Sequence, residues 1–384
     1  MSTAATPADI LHIALQRATN AGDKSLIDDP SVVHRIEYVC RFLQNRACVR
    51  LLLACSLAKA CHPEVDIRKP YTEIGGSDCY SGRTYDEKYV TGFILTHQLP
   101  CNPTTAFLTP AFRNRNVTLT PDLDLVGRHP PLYQATLQLL DDVYTGKASA
   151  EEVLAETIRW LVIIRDEKLL RLETMLADLR ASAGAVSLSA ESIVTLIEQH
   201  LKCQNSSRLP VLVVTAAYRA AAQYLGEQAL PLEAHNAADL QTGSLGDVQI
   251  ALINDDKVIT AYEMKTRRVE INDINFAVQK LNRRIDNYIF ITTEEISEQV
   301  KEYATKMYAR TGGIEFVVLD CIGFLRHFLH LFYRLRMQFL DEYQELVLAE
   351  DESAVRQPLK EAFLTLRIAA ESANSFDENA TQED

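Results

Sequence analysis

Apolar residues recur at helical spacing through most of the first two hundred positions. Asp29-Pro30 supplies an N-cap followed by proline at the first helical position, and Val32, Val33, Ile36, Val39 and Leu43 follow three or four residues apart. A second helix, roughly Arg46 to Ala60, turns Val49, Leu52, Leu53 and Leu57 inward and leaves Arg41, Arg46, Arg50 and Lys59 on or near its outer faces. From Pro63 to Pro131 the spacing is lost. Glycines, prolines, aromatics and hydroxyls dominate there; so long an irregular stretch inside a domain is usually functional or disordered, and the aromatic content argues against disorder. Helix returns at Ser149-Ala150-Glu151-Glu152, a capping box, and runs to about Leu179. A shorter helix covers Ser189 to Lys202, and Gln204-Asn205-Ser206-Ser207 has linker composition, so a domain boundary is expected between 185 and 207.

Beyond it the period alternates. A helix from Leu209 to Leu225 stops at Gly226. Two strand-like runs, Val248–Ile253 and Val258–Met264, flank Asn254-Asp255-Asp256 as a hairpin. There follow a helix (Asp273–Arg284), a strand (Tyr288–Thr292), a helix opened by Thr293 (Glu294–Tyr308), a strand (Ile314–Leu319) and a long helix (Gly323–Leu348). This order predicts an α/β core with a sheet of mixed direction and helices on its faces. The expected domains are a mainly helical region over 1–200 that contains the irregular segment 63–131, an α/β core over 201–349, and an acidic, loose tail over 350–384, with room for a helix at Leu359–Ile368.

Composition adds exclusions. The 384 residues are 47% hydrophobic and 24% charged, ordinary globular values. The eight cysteines include no C-x-x-C pair, which points to a reduced, cytoplasmic setting, and Met1–Asp9 shows no secretory leader. No stretch has the length and apolarity of a membrane span. Of the net charge of −13, Asp341–Asp384 carries −9, so the other 340 residues are nearly balanced and a nucleic-acid partner stays open. Cys61, His62, Cys79, His97 and Cys101 follow no zinc spacing, and Gly75-Gly76 and Gly312-Gly313 lack a phosphate-loop lysine.

The chemistry concentrates in the hairpin. Asp247 opens its first strand, and Glu263-Met264-Lys265 closes its second. Those ends are neighbours in an antiparallel pair, and residues that face each other share a side of the sheet. If Asn254-Asp255-Asp256 is a three-residue loop, Ile253 pairs with Lys257, Asp247 faces Glu263, and Lys265 lies on the same face. A five-residue loop sets Asp247 opposite Lys265 instead. A two- or four-residue loop sends Asp247 to the far side unless a bulge intervenes. The other face of the first strand, Val248, Ile250 and Leu252, suits a core. Two carboxylates with the Met264 carbonyl suit a hard divalent cation, Mg²⁺ with Mn²⁺ as substitute, and Lys265 beside it can orient an attacking water. The bland alternative is an ion pair on an edge strand.

This Asp, Glu, Lys triad after a helix and hairpin resembles the PD-(D/E)xK nuclease superfamily, with Gly246 where that family's name places proline. The run His235–Asp247, the segments Arg83–Glu87 and Leu99–Arg113, and the helical first half are similar to the SacI-type restriction endonucleases, over most of residues 30–340. The resemblance implies Asp247, Glu263 and Lys265 as catalytic residues, and Asp247, Glu263 and Met264 as metal ligands. It also implies Mg²⁺-dependent cleavage of double-stranded DNA at a short palindrome, with a cognate DNA methyltransferase encoded nearby as functional partner. Another nuclease of the superfamily, or a silent DNA-binding protein of the same fold, are the alternatives. Arg83, Arg113, Asn114, Arg115 and Asn116 are candidates for base recognition, because Arg and Asn make bidentate contacts to guanine and adenine edges. Thr242 and Ser244 are further candidates for DNA contact; Arg267 and Arg268 suit phosphate contact or a solvated surface, and His235 suits a structural histidine before a phosphate contact. Cutting a palindrome calls for a homodimer, and Phe328, Leu331, Phe332, Leu335 and Phe339 on the Gly323–Leu348 helix are the expected contact surface.

Overall fold

The computed structural model of the chain describes residues 5–42, 46–102, 105–113, 115–182, 187–232, 245–255, 257–281 and 285–381. The chain divides into two compact units, Met1–Arg171 and Leu172–Asp384. The division falls within a long helix and not at 185–207. The helices on either side of Gln204–Ser207 share one core, with Ile193, Val194 and Ile197 packed among Val211, Leu212 and Val214. That stretch is therefore a turn inside the second unit.

The regular elements described in the first unit are helical: α1 (Pro7–Ala21), α2 (Pro30–Arg41), α3 (Ala47–Cys61), α4 (Gly82–Tyr85), α5 (Thr91–Thr96), α6 (Pro130–Tyr144) and the first part of α7 (Ala150–Ser182). Asp29 caps α2 by accepting from the Ser31 amide at 2.8 Å. Ser149 and Glu152 close the expected box at the start of α7. Helix α3 is apolar on every side and is accordingly buried all round, against α1, α2 and α6.

Arg46 and Arg50 are therefore interior, not on an outer face; Arg50 is 1% exposed. The irregular segment explains how the charge is tolerated. Asp86, fully buried, accepts from Arg50 Nε at 2.8 Å, from the Thr105 hydroxyl and from the Ala106 amide at 2.9 Å. Arg50 also donates to the Asn102 carbonyl (2.8 Å) and Thr91 Oγ1 (2.6 Å). One buried ion pair thus draws residues 86–106 onto α3. At Gly82 a Cβ would lie 2.5 Å from the Phe107 ring, so only glycine lets the segment fold over that aromatic.

In the second unit, α8 (Ala190–Leu201) and α9 (Leu209–Leu225) precede a five-stranded sheet in the order β1 (Glu227–Ala229), β2 (Val248–Leu252), β3 (Val258–Lys265), β4 (Asn287–Thr292), β5 (Glu315–Asp320). The first two pairings are antiparallel and the last two parallel, which bears out an α/β class with a mixed sheet. Helices α10 (Ile271–Leu281) and α11 (Glu298–Thr311) make the crossovers and cover one face, against Ala261, Tyr288, Phe290 and Phe316. Helices α9, α12 (Cys321–Leu331) and α13 (Arg336–Ala349) cover the other, against Val248, Ile250, Tyr262, Ile289 and Ile291. Helix α11 starts four residues later than expected, because Ser297 accepts from the Val300 amide and takes the cap in place of Thr293.

Two expectations are corrected. The helix expected over Gly323–Leu348 is broken at Phe332, and Phe328 and Phe339 are core residues, 7% and 0% exposed. They are spent on the fold and are not free for dimer contacts; Leu331, at 64% exposure, is open. The acidic tail is not loose either. Residues Gln357–Thr381 form α14, which lays Leu359, Phe363 and Leu364 into the core. Its Lys360 donates to the carbonyls of Leu348 and Glu350 at the end of α13, and its Arg367 bridges Asp341 and Glu371 at 2.7 and 2.8 Å. Beneath it His200, fully buried on α8, donates through Nε2 to the Leu359 carbonyl (2.9 Å) and accepts the Tyr343 hydroxyl at Nδ1 (3.0 Å). All eight cysteines are free thiols. Among the described residues no helix is long and apolar enough to cross a membrane.

Two predictions follow from these buried charges. Asp86→Ala leaves the Arg50 guanidinium buried without its carboxylate, and should lower unfolding stability by about 3–5 kcal/mol in denaturant titration. Burial pushes the His200 imidazole down to about 4 from its usual 6.5. The unfolded chain takes that proton first as pH falls, so stability should drop between pH 6.5 and 4, by ~3 kcal/mol in full. His200→Gln should flatten the stability profile across that window.

Candidate active site

The hairpin sets the site. At its turn end Ala251 pairs with Val258, so the expected pairing of Ile253 with Lys257 is not formed. Asn254 takes a left-handed φ of 72°, which asparagine tolerates, and the Asp255 carboxylate accepts from the Lys257 amide at 2.9 Å. Continued unchanged, that register would bring Asp247 level with Tyr262, on the face away from Glu263. A β-bulge between Ile250 and Ala251 shifts it by one residue, so that Ile250 pairs with Thr260 and Val248 with Tyr262. Carried one position further, that register would set Asp247 on the side of Glu263; Asp247 itself lies in the bend before β2 and is exposed. Of the three residues expected to face the core, Val248 and Ile250 are buried, but Leu252, past the bulge, is 43% exposed.

Three contacts hold the arrangement. Asp247 Oδ2 accepts from the Met264 amide at 2.7 Å, fixing the carboxylate to the end of β3. In an extended strand the N–H and C=O of one residue point to the same neighbour, so the Met264 carbonyl is directed to that edge as well. Glu263 Oε1 accepts from Lys265 Nζ at 2.9 Å, and Oε2 from the Tyr288 hydroxyl at 3.2 Å. Glu263 and Lys265 are partly buried, with side chains 19% and 24% exposed. Gly246 makes the close approach possible, since a Cβ there would lie 2.6 Å from the Tyr262 carbonyl oxygen. The glycine is a steric requirement here.

The donor set is oxygen throughout. Among the described residues no group of three or more His, Cys, Asp and Glu side chains gathers as a dedicated metal cage would. Two carboxylates and a carbonyl fit Mg²⁺, which keeps several waters and takes its remaining ligands from a phosphate.

The basic residues beyond the triad are engaged with carboxylates. Arg267 forms a fork with Asp273, at 2.9 and 2.6 Å, and Asp273 also accepts the Glu270 amide at 2.9 Å. Burial alone would raise the Asp273 carboxyl, but the Arg267 fork and that amide hold it below the usual range. The Thr292 hydroxyl donates to the Arg267 carbonyl at 3.0 Å, so this turn is tied to both α10 and β4. Arg268 pairs with Glu295 at 2.8 Å, both side chains well exposed.

The candidates for base recognition lie in the first unit. Arg83 pairs with Glu87 one turn on, Arg113 is exposed, Arg115 donates through Nε to the Ala111 carbonyl at 2.8 Å, and Asn116 is exposed with φ 47°. Asn114, His235, Thr242 and Ser244 lie outside the described residues. Sequence reading passed over Tyr288 and Asp273. Tyr288 opens an apolar strand, and only the parallel register that sets Ala261 beside it reveals its reach to Glu263.

No protein-family description matches the chain, and comparison with curated proteins found no match.

The hairpin geometry gives a structural prediction. Gly246→Ala should push the start of β2 off β3, at about 1–3 kcal/mol of overpacking strain. Amide exchange at Met264 should become at least several-fold faster than in the wild type, while amides of α3 in the other unit keep their protection.

Proposed function

We propose that this chain is a Mg²⁺-dependent endonuclease that cuts both strands of DNA at a short palindrome, as the nuclease half of a restriction–modification pair. The observation that carries the reading is the end of β3, where Glu263 accepts from Lys265 at 2.9 Å and the Met264 amide between them holds the Asp247 carboxylate at 2.7 Å. The order around it supports the reading too: helix α9 precedes the β2–β3 hairpin, as the superfamily resemblance implies.

In this reading Asp247, Glu263 and the Met264 carbonyl hold the cation, for which Mn²⁺ substitutes. The cation, when bound, stabilises the charge that develops on the phosphoryl oxygens and favours hydroxide over water. The chain's own residues do the positioning. The Met264 amide holds one oxygen of Asp247 at the end of β3. Lys265 carries only donors, so its ammonium orients a water by its lone pair and offsets negative charge at the phosphate. Nothing in this set reads a base. Sequence choice therefore falls to other side chains, with Arg83, Arg113, Arg115 and Asn116 as proposed base contacts and Arg267 and Arg268 as proposed phosphate contacts. An arginine now paired with a carboxylate can exchange it for a phosphate oxygen, which presents the same bidentate geometry. Two such sites related by a two-fold axis would serve the two strands, hence a homodimer at least on DNA.

The test is cleavage of plasmid DNA in Mg²⁺. Wild-type protein should yield discrete linear fragments, and Asp247→Asn, Glu263→Gln and Lys265→Ala should each lose at least about 10²-fold in rate while keeping the wild-type melting temperature. Full activity in any of the three, or undiminished cleavage in EDTA, would overturn the assignment.

A further inference from the structure

The Glu263 carboxylate accepts hydrogen bonds from two side chains, and these two partners differ in kind. On Oε1 sits Lys265, a flexible stem with its head partly in solvent. On Oε2 sits the hydroxyl of Tyr288, 1% exposed on β4. The Tyr288 ring is wedged between Phe290 and Phe316, at centroid distances of 5.1 and 5.7 Å, under α10 and α11. A lysine can swing away when another cation arrives. A tyrosine packed in that way cannot.

We propose that Tyr288 is a positioning residue that makes Glu263 a one-oxygen ligand, bound to the divalent cation through Oε1 alone. The inference rests on the cation reading of the site given above. Its logic is geometric. The hydroxyl proton occupies a lone pair of Oε2 and fixes the plane of the carboxylate, so Oε1, held by the exchangeable Lys265, is the atom left for a cation. Lys265 holds the place of the cation on Oε1, and its release on exchange leaves its ammonium beside the ligand that it has just left. Outer-shell hydrogen bonds of this kind orient ligating carboxylates and commonly change metal affinity by about 10–100-fold. One-oxygen ligation also selects. Mg²⁺ and Mn²⁺ sit in compact octahedra, whereas the larger Ca²⁺ accepts a carboxylate through both oxygens.

The experiment is calorimetric titration of the full chain with Mn²⁺, Mg²⁺ and Ca²⁺ alone, without DNA. Tyr288→Phe keeps the ring and removes only the hydroxyl. It should weaken Mn²⁺ and Mg²⁺ binding about 10-fold or more, and Ca²⁺ binding several-fold less, because the freed Oε2 becomes available to the larger ion. Phe363→Leu, which loosens the core on the other face of the sheet and touches neither Tyr288 nor its ring partners, should lower the melting temperature and leave the three affinities as they are. Tyr288→Phe with wild-type affinities, or Phe363→Leu with the same loss, would overturn the proposal. If Glu263→Gln loses Mn²⁺ while Tyr288→Phe does not, the cation reading stands and only the role of Tyr288 falls. If wild-type protein binds none of the three ions, both fall together.

Discussion

The register of one antiparallel pair governs the second unit. Side chains alternate across a sheet with period two, so a slip of one residue exchanges every inward position for an outward one. With the turn-end pairing of Ala251 and Val258 carried through, Val248 and Ile250 would lose their places among the buried residues of α9 and α12, and Asp247 would face away from Glu263. The bulge beside Ile250 prevents both outcomes at once. Core packing and site geometry are thus consequences of a single extra residue, and the apolar burial of Val248, Ile250 and Tyr262 is what keeps it in place.

A different logic orders the first unit. There the irregular segment has little regular hydrogen bonding of its own and is gathered by buried charge. Arg50 and Asp86 satisfy each other and, between them, also a carbonyl, two hydroxyls and an amide from residues 91–106. Glu156 and Arg159 do the same near α1, where the Leu26 amide donates to Glu156 and Arg159 reaches the Gly22 carbonyl. Buried pairs of this kind add little net stability over apolar packing, but they admit few alternative arrangements, since every mispairing strands a charge. A segment rich in glycine and proline acquires a defined path in this way.

Much of this was legible in the chain. Periodicity located α2, α7, β2 to β5 and the two crossover helices, because each buries a face whose spacing matches its element, while α3 and α9 were marked by unbroken apolar runs between their end signals. Parity put Glu263 and Lys265 on one face, and their 2.9 Å contact agrees with it; the loop assignment was where the reading was fragile, because the turn is not the three-residue one assumed and a bulge shifts the register beyond it. Arg50 was misread because charge normally marks an outer face, and its partner lies thirty-six residues away in a stretch without pattern. The tail was misread for a related reason. Its acids are conspicuous along the sequence, while the narrow stripe of Leu359, Phe363 and Leu364 that commits it to the core is short. Three-residue β1 carries no periodic signal at all.

The parallel pairing of β3 with β4 has a consequence for how the protein comes into being. The hairpin is local and can close early, within the time that neighbouring strands need to meet, whereas β4 must wait for α10 to form and carry the chain back. Until it does, Tyr288 is not beside Glu263, and the acidic pair has its spacing without its orientation. A chain still emerging from synthesis therefore holds the hairpin before it holds the Tyr288–Glu263 contact, which arrives only with the closing of the sheet.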